Sequence, residues 1–158
     1  MGSLTSMEDR SGEPKRFAKL RDEMVERNIA TRGVRDELVL NAMRKVPRER
    51  FLPKNLGEFA YEDSPLPIAG EQTISQPYIV ALMAEALLLK GGEKILEIGA
   101  GSGYAAAVLS EIAGHVYTVE RLGQLADKAG YDIGRSWLRQ CPRLAWRWHA
   151  GLAGACPL

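Results

Sequence analysis

Residues 94–109 read Lys94-Ile-Leu-Glu-Ile-Gly-Ala-Gly-Ser-Gly-Tyr-Ala-Ala-Ala-Val-Leu109, a pattern typical of a buried strand followed by a tight turn and the start of a helix. Ile95, Leu96 and Ile98 are aliphatic within one strand length, and the alanine-rich residues 104–109 favour helix. Between them lie Gly99, Gly101 and Gly103. Glycine permits a sharp turn and a close ligand, and the following helix presents unpaired N–H groups at its positive end. We therefore predict an α/β fold with a nucleotide-type site at this turn.

The glycine spacing narrows the class of ligand. A dinucleotide-binding turn follows Gly-x-Gly-x-x-Gly, but Tyr104 stands at the position of the third glycine, so an NAD site is a poor match. The sequence instead has Glu97-x-Gly99-x-Gly101-x-Gly103, which resembles the first motif of S-adenosylmethionine-dependent methyltransferases. A second predicted strand, His115–Glu120, ends in an acid about 20 residues after the first glycine, where a carboxylate can accept both hydroxyls of a ribose. The alternative is a strand, a glycine turn and a packed helix that bind no ligand.

Length and composition limit the class of protein. At 158 residues the chain has the length of one domain, and 46% of its residues are hydrophobic, so it can bury a core. Lysine and arginine number 21 against 20 acidic residues, which points to neither nucleic acid nor a membrane surface as a partner. No apolar run approaches the ~20 residues of a membrane-spanning helix, and no secretory signal is recognised, so we expect a cytoplasmic protein. Cys141 and Cys156 lack metal-binding spacing, and we expect no metal site.

The rest of the chain predicts helices and ordered loops around this centre. Residues 1–16 are expected to form a mobile leader, and an amphipathic helix is predicted to begin near Phe17. Asp36 is placed to cap a second helix that ends before Pro47. Pro77 suits the first turn of a third helix. The apolar face predicted for that third helix consists of Tyr78, Ile79, Leu82, Met83, Ala86 and Leu87.

Five motifs together carry a family resemblance. They are Val46-Pro-Arg-Glu-Arg-Phe-Leu-Pro53, Ala60-Tyr61, Leu66-Pro-Ile68, Gln72-Thr-Ile-Ser-Gln-Pro-Tyr-Ile-Val80 and Leu96-Glu-Ile-Gly-Ala-Gly-Ser-Gly-Tyr104. On these motifs the chain from Phe17 to Ala129 resembles the protein-L-isoaspartate O-methyltransferase family, and the Thr-Ile-Ser-Gln-Pro string is far more specific than the glycine turn. The resemblance implies a Rossmann-like class I methyltransferase fold with a parallel-type sheet and N-terminal helices. It also implies S-adenosylmethionine as cofactor and methylation of L-isoaspartyl residues, a protein-repair reaction.

The resemblance assigns residues to the site. It implies that Ser75 is the active-site serine, and we expect Thr73, Ile74 and Gln76 to shape the substrate pocket. The cofactor-binding residues that it implies are Glu97, Gly99, Gly101, Ser102, Gly103 and Glu120. A substrate carboxylate is already ionised near neutral pH, so no histidine or lysine base is expected, and the Ser75 hydroxyl would align the carboxylate by a hydrogen bond. On local physics alone Ser75 is instead the cap of the helix that begins at Pro77, and the two roles are compatible.

The resemblance ends at Ala129. Residues 130–158 form a tail unlike the family, with all three tryptophans and both cysteines, and an out-of-frame translation explains the change in composition. We therefore expect a sheet cut off after its second strand, and a chain that folds poorly or depends on a partner. Two rival functions stay open: a fragment that at most binds cofactor, and a methyltransferase with a small-molecule acceptor. If the chain folds, we expect a monomer.

Overall fold

The structure, a computed structural model, describes residues 13–127 and 144–148 and packs helices against a small parallel sheet. Residues 1–12 of the predicted leader lie outside the described residues. The helices are α1 (Glu13–Met24), α2 (Glu37–Lys45), α3 (Pro77–Ala86) and α4 (Tyr104–Ile112), followed by helical residues 123–127. The strands are β1 (Leu66–Pro67), β2 (Thr73–Ile74), β3 (Lys94–Ile98), β4 (His115–Glu120) and β5 (Leu144–Trp148). Within these ranges, no helix has both the length and the apolar character needed to cross a membrane.

The main sheet has the order β3-β4-β5, with both pairs of strands parallel. The first two strands confirm the predicted order of strand, glycine turn, helix and strand, and α4 connects them as the crossover of a βαβ unit. The prediction that the first of these strands is buried is wrong, because one face of β3 is left uncovered among the described residues. The third strand corrects the prediction that the sheet stops after its second strand: Leu144 pairs with Val116 and Trp148 with Glu120. The sequence analysis missed β5 because residues 130–158 do not follow the family pattern, although the two tryptophans of β5 favour strand. Among the described residues β3 has no partner on its other side, so the sheet is open at that edge.

The first helix starts earlier than predicted and continues into two further helical turns. α1 begins at Glu13 rather than near Phe17, and it continues through a π-helical turn at Val25–Ile29. A 3-10 turn at Ala30–Arg32 follows, and the helical path ends only at Gly33, whose φ of 103° lies in the left-handed region. Glycine adopts this conformation without a steric penalty, which explains why the chain reverses there.

The second helix confirms its predicted cap. The Asp36 carboxylate accepts a hydrogen bond from the Leu38 amide at 2.8 Å, and α2 ends with Val46 as its C-cap, just before Pro47. Its buried side chains are Val39, Leu40, Ala42 and Met43. Leu38, in the first turn of the same helix, is 47% exposed. The third helix likewise begins at Pro77, as predicted.

The apolar face predicted for α3 is largely the exposed one. α3 packs against α2 and the π-helical turn, and its buried side chains are Pro77, Val80, Ala81 and Ala84. In contrast, Met83 is 65% exposed and Leu88, just after the helix, is 69% exposed. The outer face of β3 adds Leu96 at 62% and Ile98 at 80% exposure. Periodicity could not choose the packed face, because α3 is apolar almost all round.

The core lies between the helices and one face of the sheet, and one arginine is enclosed in it. Arg48 is fully buried, and its Nε donates to the Ala60 carbonyl at 2.8 Å. Its guanidinium lies 4.9 Å from the centre of the Tyr104 ring. Burial lowers the pKa of Arg48 because it disfavours the charged form. This side chain therefore ties the proline-rich loops to the helix that follows the glycine turn.

The exposed apolar surface on α3 and β3 predicts dye binding by the folded chain. We expect the double variant Leu96→Thr, Met83→Gln to bind less 1-anilinonaphthalene-8-sulfonate, with the free energy of unfolding changed by no more than about 1 kcal/mol, since both side chains are exposed. The buried Val108→Thr should instead lower that free energy by about 1–3 kcal/mol by placing a hydroxyl in the core. Unchanged dye fluorescence in the double variant would contradict the exposure of this face.

Candidate functional site

The glycine turn between β3 and α4 forms the floor of the candidate site. The amides of Gly99 and Ala100 both donate to the carbonyl of Val119, at 2.9 and 3.1 Å. Gly99, Gly101 and Gly103 have φ values of 89°, 55° and 83°. A Cβ at Gly99 would meet nothing within 4 Å, so the turn faces open space there. Positive φ explains the need for glycine, and the open space leaves room for a ligand against the backbone.

Glu120 closes the other side of the turn. It is the last residue of β4 and is only 7% exposed. Its Oε2 accepts a hydrogen bond from the Gly101 amide and its Oε1 accepts one from the Leu122 amide, each at 2.9 Å. Each carboxylate oxygen has a further lone pair for a ligand hydroxyl. Glu120 therefore holds the glycine turn and remains able to accept a hydrogen bond from a ribose.

Glu97 is a partly buried carboxyl on β3 with an unusual protonation equilibrium. Burial raises its pKa to about 7, the nearby Glu120 adds to the rise, and a hydrogen bond from the Thr118 hydroxyl opposes it. A cationic ligand group next to Glu97 would favour the ionised form. Sequence analysis missed Thr118, although the parallel pairing of Glu97 with Thr118 places the two side chains on neighbouring strands at the same level.

The two remaining predicted cofactor residues shape the start of α4. The Ser102 Oγ accepts a hydrogen bond from the Tyr104 amide at 3.3 Å. Gly103 is the N-cap of α4 and provides no side-chain cap. The predicted cofactor residues therefore form one continuous group: a glycine turn, the start of a helix and two carboxyls at the ends of neighbouring strands.

The predicted substrate segment is a short hairpin that leads into α3. β1 and β2 pair antiparallel, with Leu66 opposite Ile74 and Pro67 opposite Thr73. Ile74 is 3% exposed and belongs to the core, so it anchors the hairpin rather than lining an open pocket. Thr73 is exposed.

Ser75 is exposed, and its hydroxyl has no hydrogen-bond partner among the described residues. The N-cap of α3 is Gln76, not Ser75, so the capping alternative is wrong. The amide of Tyr78 instead donates a hydrogen bond to the carboxylate of Asp63, at 3.1 Å. Asp63 lies 15 residues earlier in the chain. The Gln76 side chain also donates to Asp63 and is engaged within the protein. A cap supplied from another loop leaves no local signal, which explains why sequence reasoning missed Asp63.

The hairpin and the glycine turn lie against each other. A Cβ at Gly101 would stand 3.8 Å from the Ile68 Cδ1, and one at Gly70 would stand 3.3 Å from the Leu122 Cδ1. The segment between β1 and β2 therefore packs beside the glycine turn and the residues after β4. The predicted substrate residues 73–76 follow directly after this packed segment.

The donor set suits an organic ligand with a cationic group and hydroxyls. Glu97 offers a carboxylate to an ammonium, Glu120 offers acceptors to hydroxyls, and the open space at Gly99 admits the ligand. In the described part of the chain, no group of three or more histidine, cysteine or acidic side chains could hold a metal ion.

Comparison with known proteins identifies relatives over most of the chain. Residues 19–154 match the family model for protein-L-isoaspartate(D-aspartate) O-methyltransferase. A protein-L-isoaspartate O-methyltransferase of Rhodopseudomonas palustris is 73% identical over 110 residues, which are 70% of this chain and 50% of that protein. One of Methanoculleus marisnigri is 57% identical over 116 residues, 73% of this chain and 53% of that protein. The chain thus spans about half the length of the curated relatives it matches.

Solved structures give the same picture. A Plasmodium falciparum protein described as a protein-L-isoaspartate O-methyltransferase, in complex with S-adenosyl-L-homocysteine, superposes with a TM-score of 0.68. It is 26% identical, and the match covers 80% of this chain and 62% of that one. A second protein-L-isoaspartate O-methyltransferase is 30% identical with a TM-score of 0.68, over 81% of this chain and 41% of the other. These neighbours confirm the predicted Rossmann-like methyltransferase fold.

The raised pKa of Glu97 predicts a pH dependence of stability. The folded chain holds this proton up to about pH 7, whereas the unfolded chain releases it near 4.5. The contribution of Glu97 to the free energy of unfolding is therefore fully present below the unfolded pKa. This contribution, up to about 3 kcal/mol, is lost as the pH rises through the folded pKa of about 7. We expect Glu97→Gln to flatten the fall in unfolding free energy between pH 5 and 8, measured by urea denaturation. The exposed Glu58→Gln should keep the dependence of the unmodified chain, and an equally steep fall in Glu97→Gln would contradict the assignment.

Proposed function

The chain belongs to the protein-L-isoaspartate(D-aspartate) O-methyltransferase family, and from this membership we propose that it transfers a methyl group from S-adenosylmethionine to the α-carboxylate of L-isoaspartyl residues in damaged proteins. One structural observation supports the proposal. The loop between β1 and β2 packs beside a glycine turn flanked by two carboxyls, and the exposed Ser75 follows directly after β2. A direct transfer between two bound molecules requires their binding segments to lie side by side, and this packing supports such an arrangement.

We assign cofactor binding to the glycine turn and to two carboxyls on the adjoining strands. When bound, S-adenosylmethionine supplies a methyl group on a positively charged sulfur. We assign its ammonium to Glu97 and its ribose hydroxyls to Glu120, with Ser102 and the three glycines forming the turn around it. Because the pKa of free Glu97 is about 7, pairing with an ammonium would draw the proton off this carboxyl.

The reaction needs alignment more than acid–base chemistry. An oxygen of the isoaspartyl carboxylate attacks the methyl carbon, the carbon–sulfur bond breaks, and the sulfur keeps the electron pair as a neutral thioether. The carboxylate is already ionised, so no proton is transferred and no base is needed. Holding two reactants at attack distance can lower the barrier by about 7–11 kcal/mol. We assign to Ser75 a hydrogen bond from its hydroxyl to the carboxylate, which restricts the approach of the attacking oxygen.

The substrate class follows from the family and not from the residues of the site. The methyl ester formed on an isoaspartyl carboxylate cyclises and reopens without enzyme, which makes the transfer a repair step. We place this activity in the cytoplasm, as expected from the sequence. A second candidate is cofactor binding without transfer. The half-length match to the curated relatives and the open edge of β3 favour this candidate.

The first experiment is methyl incorporation from labelled S-adenosylmethionine into an isoaspartyl peptide, with the matching aspartyl peptide as control. Circular dichroism and S-adenosylhomocysteine binding are measured on the same sample. We expect selective methylation of the isoaspartyl peptide by a folded chain. A folded chain that binds S-adenosylhomocysteine but methylates neither peptide would establish the second candidate and reject the first.

Ser75→Ala isolates the contribution of the hydroxyl. A hydrogen bond to a charged group is worth about 1.5–3 kcal/mol, so we expect kcat/KM for the isoaspartyl peptide to fall about ten- to hundredfold. The free energy of unfolding should change by less than about 0.5 kcal/mol, because the hydroxyl has no partner among the described residues. Ser75→Thr keeps the hydroxyl and should retain more activity than Ser75→Ala. Full turnover by Ser75→Ala would remove Ser75 from the mechanism.

A further inference from the structure

Asp63 connects three segments of the chain at the start of α3. Its Oδ2 accepts hydrogen bonds from the Arg32 Nη1 at 2.5 Å and from the Gln76 Nε2 at 2.7 Å. Its Oδ1 accepts the Tyr78 amide at 3.1 Å, and its backbone carbonyl also accepts the Gln76 Nε2, at 2.9 Å. The Asp63 side chain is only 17% exposed. One carboxylate thus joins the 3-10 turn after α1, the loop before β1 and the first turn of α3.

We propose that Asp63, paired with Arg32, is a positioning residue that holds Ser75 in place for the substrate carboxylate; this inference rests on the proposed function. Ser75 is bracketed by fixed neighbours. On one side Ile74 is buried and paired in the hairpin. On the other side Asp63 binds both Gln76 and the Tyr78 amide. The only exposed link between these two anchors is Ser75 itself, so its hydroxyl is presented from a restrained backbone.

The start of α3 lacks the usual local restraint, which makes Asp63 decisive. The N-cap residue Gln76 makes no side-chain cap, and Pro77 has no N–H. The Tyr78 amide is therefore the first N–H of the helix, and Asp63 is its acceptor. An anionic group at this end also interacts favourably with the helix dipole. Without Asp63, the residue after Ser75 loses both its side-chain partner and the anchored helix turn that follows.

Arg32 balances the negative charge of the Asp63 carboxylate. A free negative charge in contact with the neighbour of Ser75 would repel an approaching substrate carboxylate. The Arg32 guanidinium balances that charge, and it also lies 3.5 Å from the centre of the Tyr78 ring, so it is held over the same helix turn. Asp63 can therefore cap α3 without opposing an anionic substrate.

The far end of α3 is fixed independently. The Glu85 Oε1 accepts hydrogen bonds from the amides of Arg35 and Asp36, at 2.6 and 2.8 Å. Loss of Asp63 should consequently loosen the Ser75 end of α3 while the helix stays docked. This separation allows a positioning effect to be distinguished from general unfolding.

The test measures peptide kinetics and cofactor affinity in Asp63→Ala, Asp63→Asn and the control Glu62→Gln. Glu62 is the exposed neighbour of Asp63, and its replacement removes a negative charge without disturbing the contacts above. In Asp63→Ala we expect kcat/KM for the isoaspartyl peptide to fall at least tenfold, with S-adenosylhomocysteine affinity within twofold of the unmodified chain. Asp63→Asn keeps an oxygen that can accept a hydrogen bond from the Tyr78 amide. Its kcat/KM should therefore lie between the values of Asp63→Ala and the unmodified chain. A parallel loss of peptide activity, cofactor affinity and stability would show a merely structural role and overturn the proposal.

Hydrogen exchange of the Tyr78 amide provides a readout that does not depend on activity. We expect Asp63→Ala to speed this exchange about tenfold or more, while exchange of the Leu40 amide in α2 stays unchanged. If the unmodified chain transfers no methyl group, the methylation assay itself rejects the proposed function. The exchange experiment then still tests whether Asp63 restrains the start of α3. Unchanged exchange at Tyr78 would overturn the proposal in either case.

Discussion

The parallel pairing of β3 with β4 is the constraint on which the candidate site depends. The pairing places Glu97 beside Thr118, and it brings the Val119 carbonyl to the amides of the glycine turn. It also brings Glu120 within hydrogen-bond distance of the Gly101 amide. The glycines make this path possible because they accept positive φ, but β4 supplies the groups that stabilise it. A turn of the same sequence without the neighbouring strand would lack those acceptors.

A second set of long-range polar contacts builds the side on which we propose that the substrate binds. Asp63 fixes the start of α3, and the segment between β1 and β2 packs against the glycine turn through Ile68. The fully buried Arg48 joins the loops beneath this region to the ring of Tyr104. These charged and polar side chains restrain irregular loops that regular secondary structure cannot stabilise. The predicted site is therefore held by tertiary contacts on one side and by a parallel sheet on the other.

The two faces of the sheet differ sharply in burial. The side covered by α4, on which α2 packs in turn, holds the core, whereas Leu96 and Ile98 on the outer face are mostly exposed. Parallel sheets are normally covered on both faces, so this surface is unusual for the fold. The chain that has this exposed face spans about half the length of the curated relatives it matches. Both residues that carry the cofactor assignment, Glu97 and Glu120, nevertheless lie within the paired part of the sheet.

Local patterns in the sequence determined the strand, turn and helix over residues 94–109, the bounds of β4, the Asp36 cap and the start of α3 at Pro77. Each of these follows from side chains a few residues apart, and the glycine and Thr-Ile-Ser-Gln-Pro motifs were sufficient to indicate the family. Tertiary structure alone decided which face of α3 packs, because an apolar helix offers several faces and only its neighbours choose one. It also decided that β5 joins the sheet and that Asp63, not Ser75, caps α3. Strand pairing and a cap 15 residues distant depend on groups brought together by folding, and no local sequence pattern records that proximity.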